Sequence, residues 1–139
     1  MEIADVRKRV LATIERAKQR AAERRARGDE AGRAYATFLD TVAVPMFRQV
    51  ANVLRAEGYQ FTVFTPSGSV RLMSDRAAED FIELTLDTSG DQPQVIGHTS
   101  RSRGRRVTEH ERAVGAPGAL SESDVLEFVL NELEGFVER

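Results

Sequence analysis

The sequence predicts an α+β fold: two N-terminal helices, a four-stranded antiparallel β-meander, and a C-terminal helix packed on the sheet. Three observations predict it. Apolar residues recur at three and four residues up to Gly58, at every second residue from Tyr59 to about residue 114, and at three and four again after Ser121. The apolar face of the sheet is expected to pack on the second and last helices.

The first helix is read over residues 2–27. Ile3, Val6, Val10, Ile14, Ala17 and Ala21 cover an arc of only about 80° on the helical wheel. So narrow a stripe suits one partner helix better than a deep groove. Gly28 is placed to end this helix and Asp29 to cap the next, with one continuous helix as the competing reading. Residues 30–57 read as a second helix of different character. Its apolar residues, from Tyr35 and Phe38 to Val53 and Leu54, spread over more than half the wheel, which predicts a central helix contacted on two sides. Pro45 predicts a kink or break, and Gly58 the end.

From Tyr59 the period is two. Tyr59, Phe61 and Val63 lead into the turn Pro66-Ser67-Gly68, and Val70 and Leu72 return from it. Asp75 to Asp80 is a polar connection. Ile82, Leu84 and Leu86 alternate with Glu83, Thr85 and Asp87 as a half-buried strand, and Ser89-Gly90-Asp91 turns the chain. Residues 93–100 and 105–114 read as a final, weaker hairpin around Arg101 to Gly104. After the linker Gly115-Ala116-Pro117-Gly118, the last helix has a well-formed start: Ser121 as N-cap, Asp124 at N3, and Leu120 positioned to staple onto Val125.

A chain of 139 residues reads as one domain, 1–139, with residues 1–28 a protruding or partner-packing helix and 30–139 a compact core. At this size a fold buries roughly 70% of its unfolded surface, so no covalent staple is required. There is no cysteine, which excludes disulfides and thiolate metal sites. The N-terminus is acidic with no apolar run behind it, and no segment approaches the ~20 apolar residues of a membrane span. A cytoplasmic protein with no membrane partner is expected. Lysine is nearly absent beside arginine, a bias that a GC-rich bacterial genome produces as readily as function does.

The formal net charge is −2, but the ends differ. Residues 1–27 hold nine basic and four acidic residues, a balance of +5, whereas residues 121–139 hold one basic and six acidic, a balance of −5. Neither a phosphate-binding loop nor a dinucleotide fingerprint is present. Asp87, Ser89 and Asp91 lack the glycine and glutamate offsets of a calcium loop. Arg27-Gly28-Asp29 is read as a helix-capping turn. His98 and His110 are the only histidines. A hairpin turning at Arg103-Gly104 sets His98 opposite Glu109, which is read as a surface cross-strand pair rather than a catalytic one. No catalytic residue, cofactor site or metal site is assigned.

Two basic features stand out. On the first helix Arg9, Arg16, Arg20 and Arg27 lie within about 40° of one another, and like charges at i, i+4 disfavour an isolated helix. An anionic neighbour relieves that: the acidic last helix, a partner, or a phosphate backbone. The second feature is Arg101, Arg103, Arg105 and Arg106 at a hairpin tip, candidate contacts to phosphate in nucleic acid. No surface aromatic lies among them to stack bases. Three functions follow, in order. The first is a non-catalytic interaction or assembly module that pairs as a homodimer or with another protein through Val6, Val10, Ile14, Arg16 and Arg20, with Phe128 off the apolar face of the last helix as a secondary contact. The second is a nucleic-acid- or ribosome-associated accessory protein. The third is a small-ligand binder or enzyme with a pocket not legible in sequence.

Overall fold

The structure, a computed structural model, describes residues 1–138. It is α+β. Helix α1 runs from Ile3 to Phe38, a π-helical turn spans Leu39–Ala43, and α2 covers Val44–Ala56. Strands β1 (Phe61–Phe64), β2 (Val70–Ser74), β3 (Phe81–Asp87), β4 (Gln94–Arg103) and β5 (Arg106–Gly115) precede α3, Glu122–Val137.

The expected break at Gly28 does not occur; α1 is one helix of 36 residues. Gly28 is absent from the glycines with left-handed φ, so it makes no C-terminal cap. One glycine inside a helix costs up to about 1 kcal/mol, whereas ending and restarting the helix leaves orphan backbone groups on both sides. The alanine- and arginine-rich flanks are strong helix formers, and the cheaper outcome prevails.

The break lies instead at the π turn, just before Pro45. A proline there has no N–H, and in regular α geometry its ring collides with the carbonyl of Thr41. One extra residue in the turn resolves this: Val44 N–H reaches back to Leu39 O, and Thr41 Oγ1 donates to Thr37 O at 2.7 Å. Pro45 then sits in the first turn of α2, where no donor is missed. The insertion also rotates the buried face, so Tyr35 and Phe38 on α1 and Met46, Phe47, Val50, Ala51 and Leu54 on α2 serve one core. At the other end of α2, Gly58 N–H donates to Arg55 O and Tyr59 N–H to Leu54 O, with Gly58 at φ +93, which is a Schellman ending.

The sheet has five strands in the order β1-β2-β3-β4-β5, all antiparallel, one more than the four expected. Each alternating segment forms its own strand, including the short β1, which pairs Phe61–Phe64 with Arg71–Ser74. The helix-facing side carries Val70, Leu72, Ile82, Leu84 and Val95, all fully buried against α2 and α3. Helix α3 starts as predicted, with a reciprocal capping box between Ser121 and Asp124; those hydrogen bonds hold the Asp124 carboxyl below its ordinary range. Among the described residues no helix is long and apolar enough to cross a membrane.

Candidate functional site

The first two-thirds of α1 stands clear of the core. Every residue from Met1 to Arg20 is exposed. The apolar stripe is therefore bare: Ile3 is 87% exposed, Val6 45%, Val10 50% and Ile14 44%. The same face continues down the helix to Tyr35, which is buried and donates its hydroxyl to Gly68 O at 2.9 Å and Leu84 O at 3.2 Å. One face of one helix is thus core at its C-terminal end and open at its N-terminal end. Arg16 donates to Thr13 Oγ1 at 3.2 Å, one turn earlier on α1, and Arg20 is exposed. Arg27 anchors the lower part of the helix to the β3–β4 turn, donating to Asp91 O at 3.3 Å.

A second apolar surface lies between α2 and α3. Met46, Val50, Val53 and Leu54 from α2 and Leu126, Leu130 and Leu133 from α3 line an open groove of about 260 Å³, with Gln49 its one polar member. Val53 is 65% exposed and Leu130 52%. Helix α2 is therefore covered by the sheet on one side and opens onto this groove on the other, where the sequence predicts cover on both. The signal was the width of its apolar arc, broader than one core face uses.

Phe128 does not present surface to a partner. It is 2% exposed, and its ring fills the space above Gly97 on β4, where any Cβ would overlap it. The strand glycine admits the ring, so a residue off the main apolar arc of α3 still reaches the core.

The four arginines of the last hairpin do not all sit at its tip. The turn is Gly104-Arg105, with Gly104 at φ +59, and Arg103 pairs across it with Arg106. A left-handed first position followed by an ordinary one suits a two-residue hairpin of the II′ kind. Arg101 leaves the tip altogether: its guanidinium lies against Gly135 in the last turns of α3. Register sorts the hairpin charges by face. Arg101, Arg103, Arg106, His110 and Arg112 share the helix-facing side, while Glu109 and Glu111 share the other with His98. None of Arg101, Arg103, Arg105 and Arg106 has a carboxylate partner within ion-pair distance among the described residues.

Among the described residues, the acidic α3 forms its ion pairs with this hairpin and none with α1. Glu132 meets His110 Nε2 at 2.8 Å and Arg112 Nε at 3.6 Å. Beside them, Thr99, Arg101, Thr108, Asn131 and Gly135 border a polar cavity of about 190 Å³, into whose lining Thr99 contributes a buried hydroxyl with no hydrogen-bond partner among the described residues. On the opposite face of the sheet, Arg71 bonds Glu83 at 2.8 Å and stacks 4.0 Å from the Phe81 ring centre, and His98 meets that ring edge-on at 5.2 Å. His98 pairs in register with Glu111, yet its Nε2 lies 3.4 Å from Glu109 Oε1 on the diagonal. The turn is one residue later than expected, which moves the partner by two and keeps both glutamates on the face of His98. Sequence reasoning missed the Arg71–Phe81–Glu83 cluster because its members come from two strands whose register is not written in either. Among the described residues no group of three or more His, Asp or Glu side chains is placed to hold a metal ion.

No protein-family pattern, characterised protein or solved structure matches this chain.

Proposed function

We propose that this chain is a non-catalytic assembly module that self-associates through its helices. The observation that supports it most is the bare apolar stripe of α1. Ile3, Val6, Val10 and Ile14 form a continuous apolar line on an element that buries nothing else there. A line of this kind, unlike scattered single apolar residues, marks an interaction surface. Light scattering at micromolar concentration tests the reading. A dimer is expected for the full chain and a monomer for Val10→Asp/Ile14→Asp, whose positions lie outside the core. A monomeric full chain removes the proposal.

One observation favours a second reading. Arg103 directly opposite Arg106 disfavours the hairpin by like-charge repulsion that a bound phosphate relieves. Nucleic-acid binding through Arg103, Arg105 and Arg106 weakens steeply with salt, whereas apolar association through α1 barely responds. Replacing those three arginines by serine with no change in bound RNA or DNA removes the second reading.

A further inference from the structure

Helix α1 and the α2–α3 groove are two bare apolar surfaces on one chain. We propose that the N-terminal part of α1 seats in the α2–α3 groove of a second copy, reciprocally, in a closed dimer. This rests on the self-association proposed above and names its occupant and its geometry.

The groove cannot be filled by the α1 of its own chain. Helix α1 is unbroken to Phe38, so Val10 stands about 40 Å along the helix axis from the π turn that leads into α2. The lengths agree: residues 3–20 span about 27 Å, while α2 and α3, of 13 and 16 residues, span about 20 and 24 Å.

Charge selects the groove over a second α1. On the helical wheel both shoulders of the α1 stripe are mainly basic, with Arg7 and Lys18 on one side and Arg9, Arg16 and Arg20, joined by the terminal Glu2, on the other. Pairing two α1 helices therefore sets one net-basic surface against another. On α3, Leu130 at the groove rim is flanked one turn away on each side by the exposed acids Glu127 and Glu134. The +5 segment over residues 1–27 meets the −5 segment over residues 121–139 only in the α1-to-α3 arrangement. Complementary potentials of this kind fix orientation and suppress the wrong pairing.

The absence of cysteine makes the test direct, since any introduced thiol is unique. Full-length chains carrying Val6→Cys, Val10→Cys or Ile14→Cys are each co-expressed with a differently tagged Leu130→Cys chain and treated with a short bismaleimide. A cross-link between one α1 position and Leu130→Cys is expected. Leu130→Glu, at a position that is 52% exposed, is expected to keep its helix content and to weaken the dimer about tenfold or more. Glu127→Arg/Glu134→Arg is expected to weaken it too, and Arg16→Glu/Arg20→Glu in the same chain to restore it. A dimer by light scattering with no cross-link to position 130, or one indifferent to Leu130→Glu, overturns the docking and leaves self-association standing. A monomer at all concentrations overturns both.

Discussion

The guanidinium of Arg101 occupies the space that a side chain at Gly135 requires: a Cβ added there overlaps Nη1. This gives a physical reason for a glycine within α3, where alanine is favoured by about 1 kcal/mol. Arg101 is the movable partner, because the overlap is with the far end of a flexible side chain. Gly135→Ala should therefore gain clearly less than ~1 kcal/mol in the parent chain and close to the full amount with Arg101→Ala, a coupling of roughly 0.5–1 kcal/mol. Urea unfolding of the four chains reads it. Equal gains in both backgrounds contradict the interlock.

The Gly97–Phe128 pair has the same form and the opposite expectation. Here the overlap is with an aromatic ring that is 2% exposed. Gly97→Ala should cost about 1–3 kcal/mol as overpacking, even though alanine suits a strand better than glycine. Phe128→Leu in the same chain should recover part of that cost. A denaturation midpoint unmoved by Gly97→Ala refutes the close approach.

These two glycines mark where legibility in the sequence ends. Periodicity located both ends of the sheet, the Ser121 cap and the Gly58 stop, because each depends on neighbours within one turn. It misplaced the helix break, since a glycine's effect depends on whether the chain needs a left-handed φ there, and Gly28 does not. Phe128 and Arg101 were assigned to surface roles because the spaces that receive them belong to Gly97 and Gly135, on elements distant in sequence. The narrow α1 stripe is legible from spacing alone, because it needs only residues three and four apart on one helix. The groove facing Leu130 needed the α2–α3 packing that no single helix encodes.

Tyr35 ties α1 to the sheet and supplies a pH signature. Burial, and secondarily the Glu83 carboxylate, pushes its phenol above the ordinary tyrosine range. Above the ordinary value of about 10 the unfolded chain releases this proton while the folded chain retains it. The unfolded state then binds fewer protons, so stability is complete below that value and falls as pH rises past it. Tyr35→Phe should cost about 1 kcal/mol near neutrality through the lost hydrogen bonds to Gly68 O and Leu84 O. It should also flatten the alkaline decline. Denaturant midpoints from about pH 8 to about pH 11 check both; parallel curves for the two chains contradict the assignment.

Arg71 and Glu83 carry the outer face of the sheet. Glu83 is 8% exposed and holds Arg71 Nε at 2.8 Å, with Ser69 Oγ at 3.5 Å. Removing the guanidinium strands a nearly buried carboxylate and uncovers Phe81, so Arg71→Ala should cost about 2–3 kcal/mol. Arg71→Met/Glu83→Leu removes both charges at similar volume and should cost less than Arg71→Ala alone. Thermal unfolding that ranks the double replacement as the worse of the two contradicts a buried, paired charge.

The continuity of α1 is testable with glycines alone. Gly28 has open space where a Cβ would sit and no left-handed φ, so Gly28→Ala should stabilise by about 0.5–1 kcal/mol and raise far-UV helicity. Gly58 also has open space, but its φ of +93 is one that an L side chain rarely adopts. Gly58→Ala should therefore destabilise, by about 1 kcal/mol or more, through backbone strain rather than crowding. The two substitutions add the same methyl group and meet no neighbour in either place, so only the local backbone sets the sign. If Gly28→Ala destabilises as Gly58→Ala does, α1 ends at Gly28. The bare stripe then sits on a separate, hinged helix, and the about 40 Å reach that bars α1 from its own groove is lost.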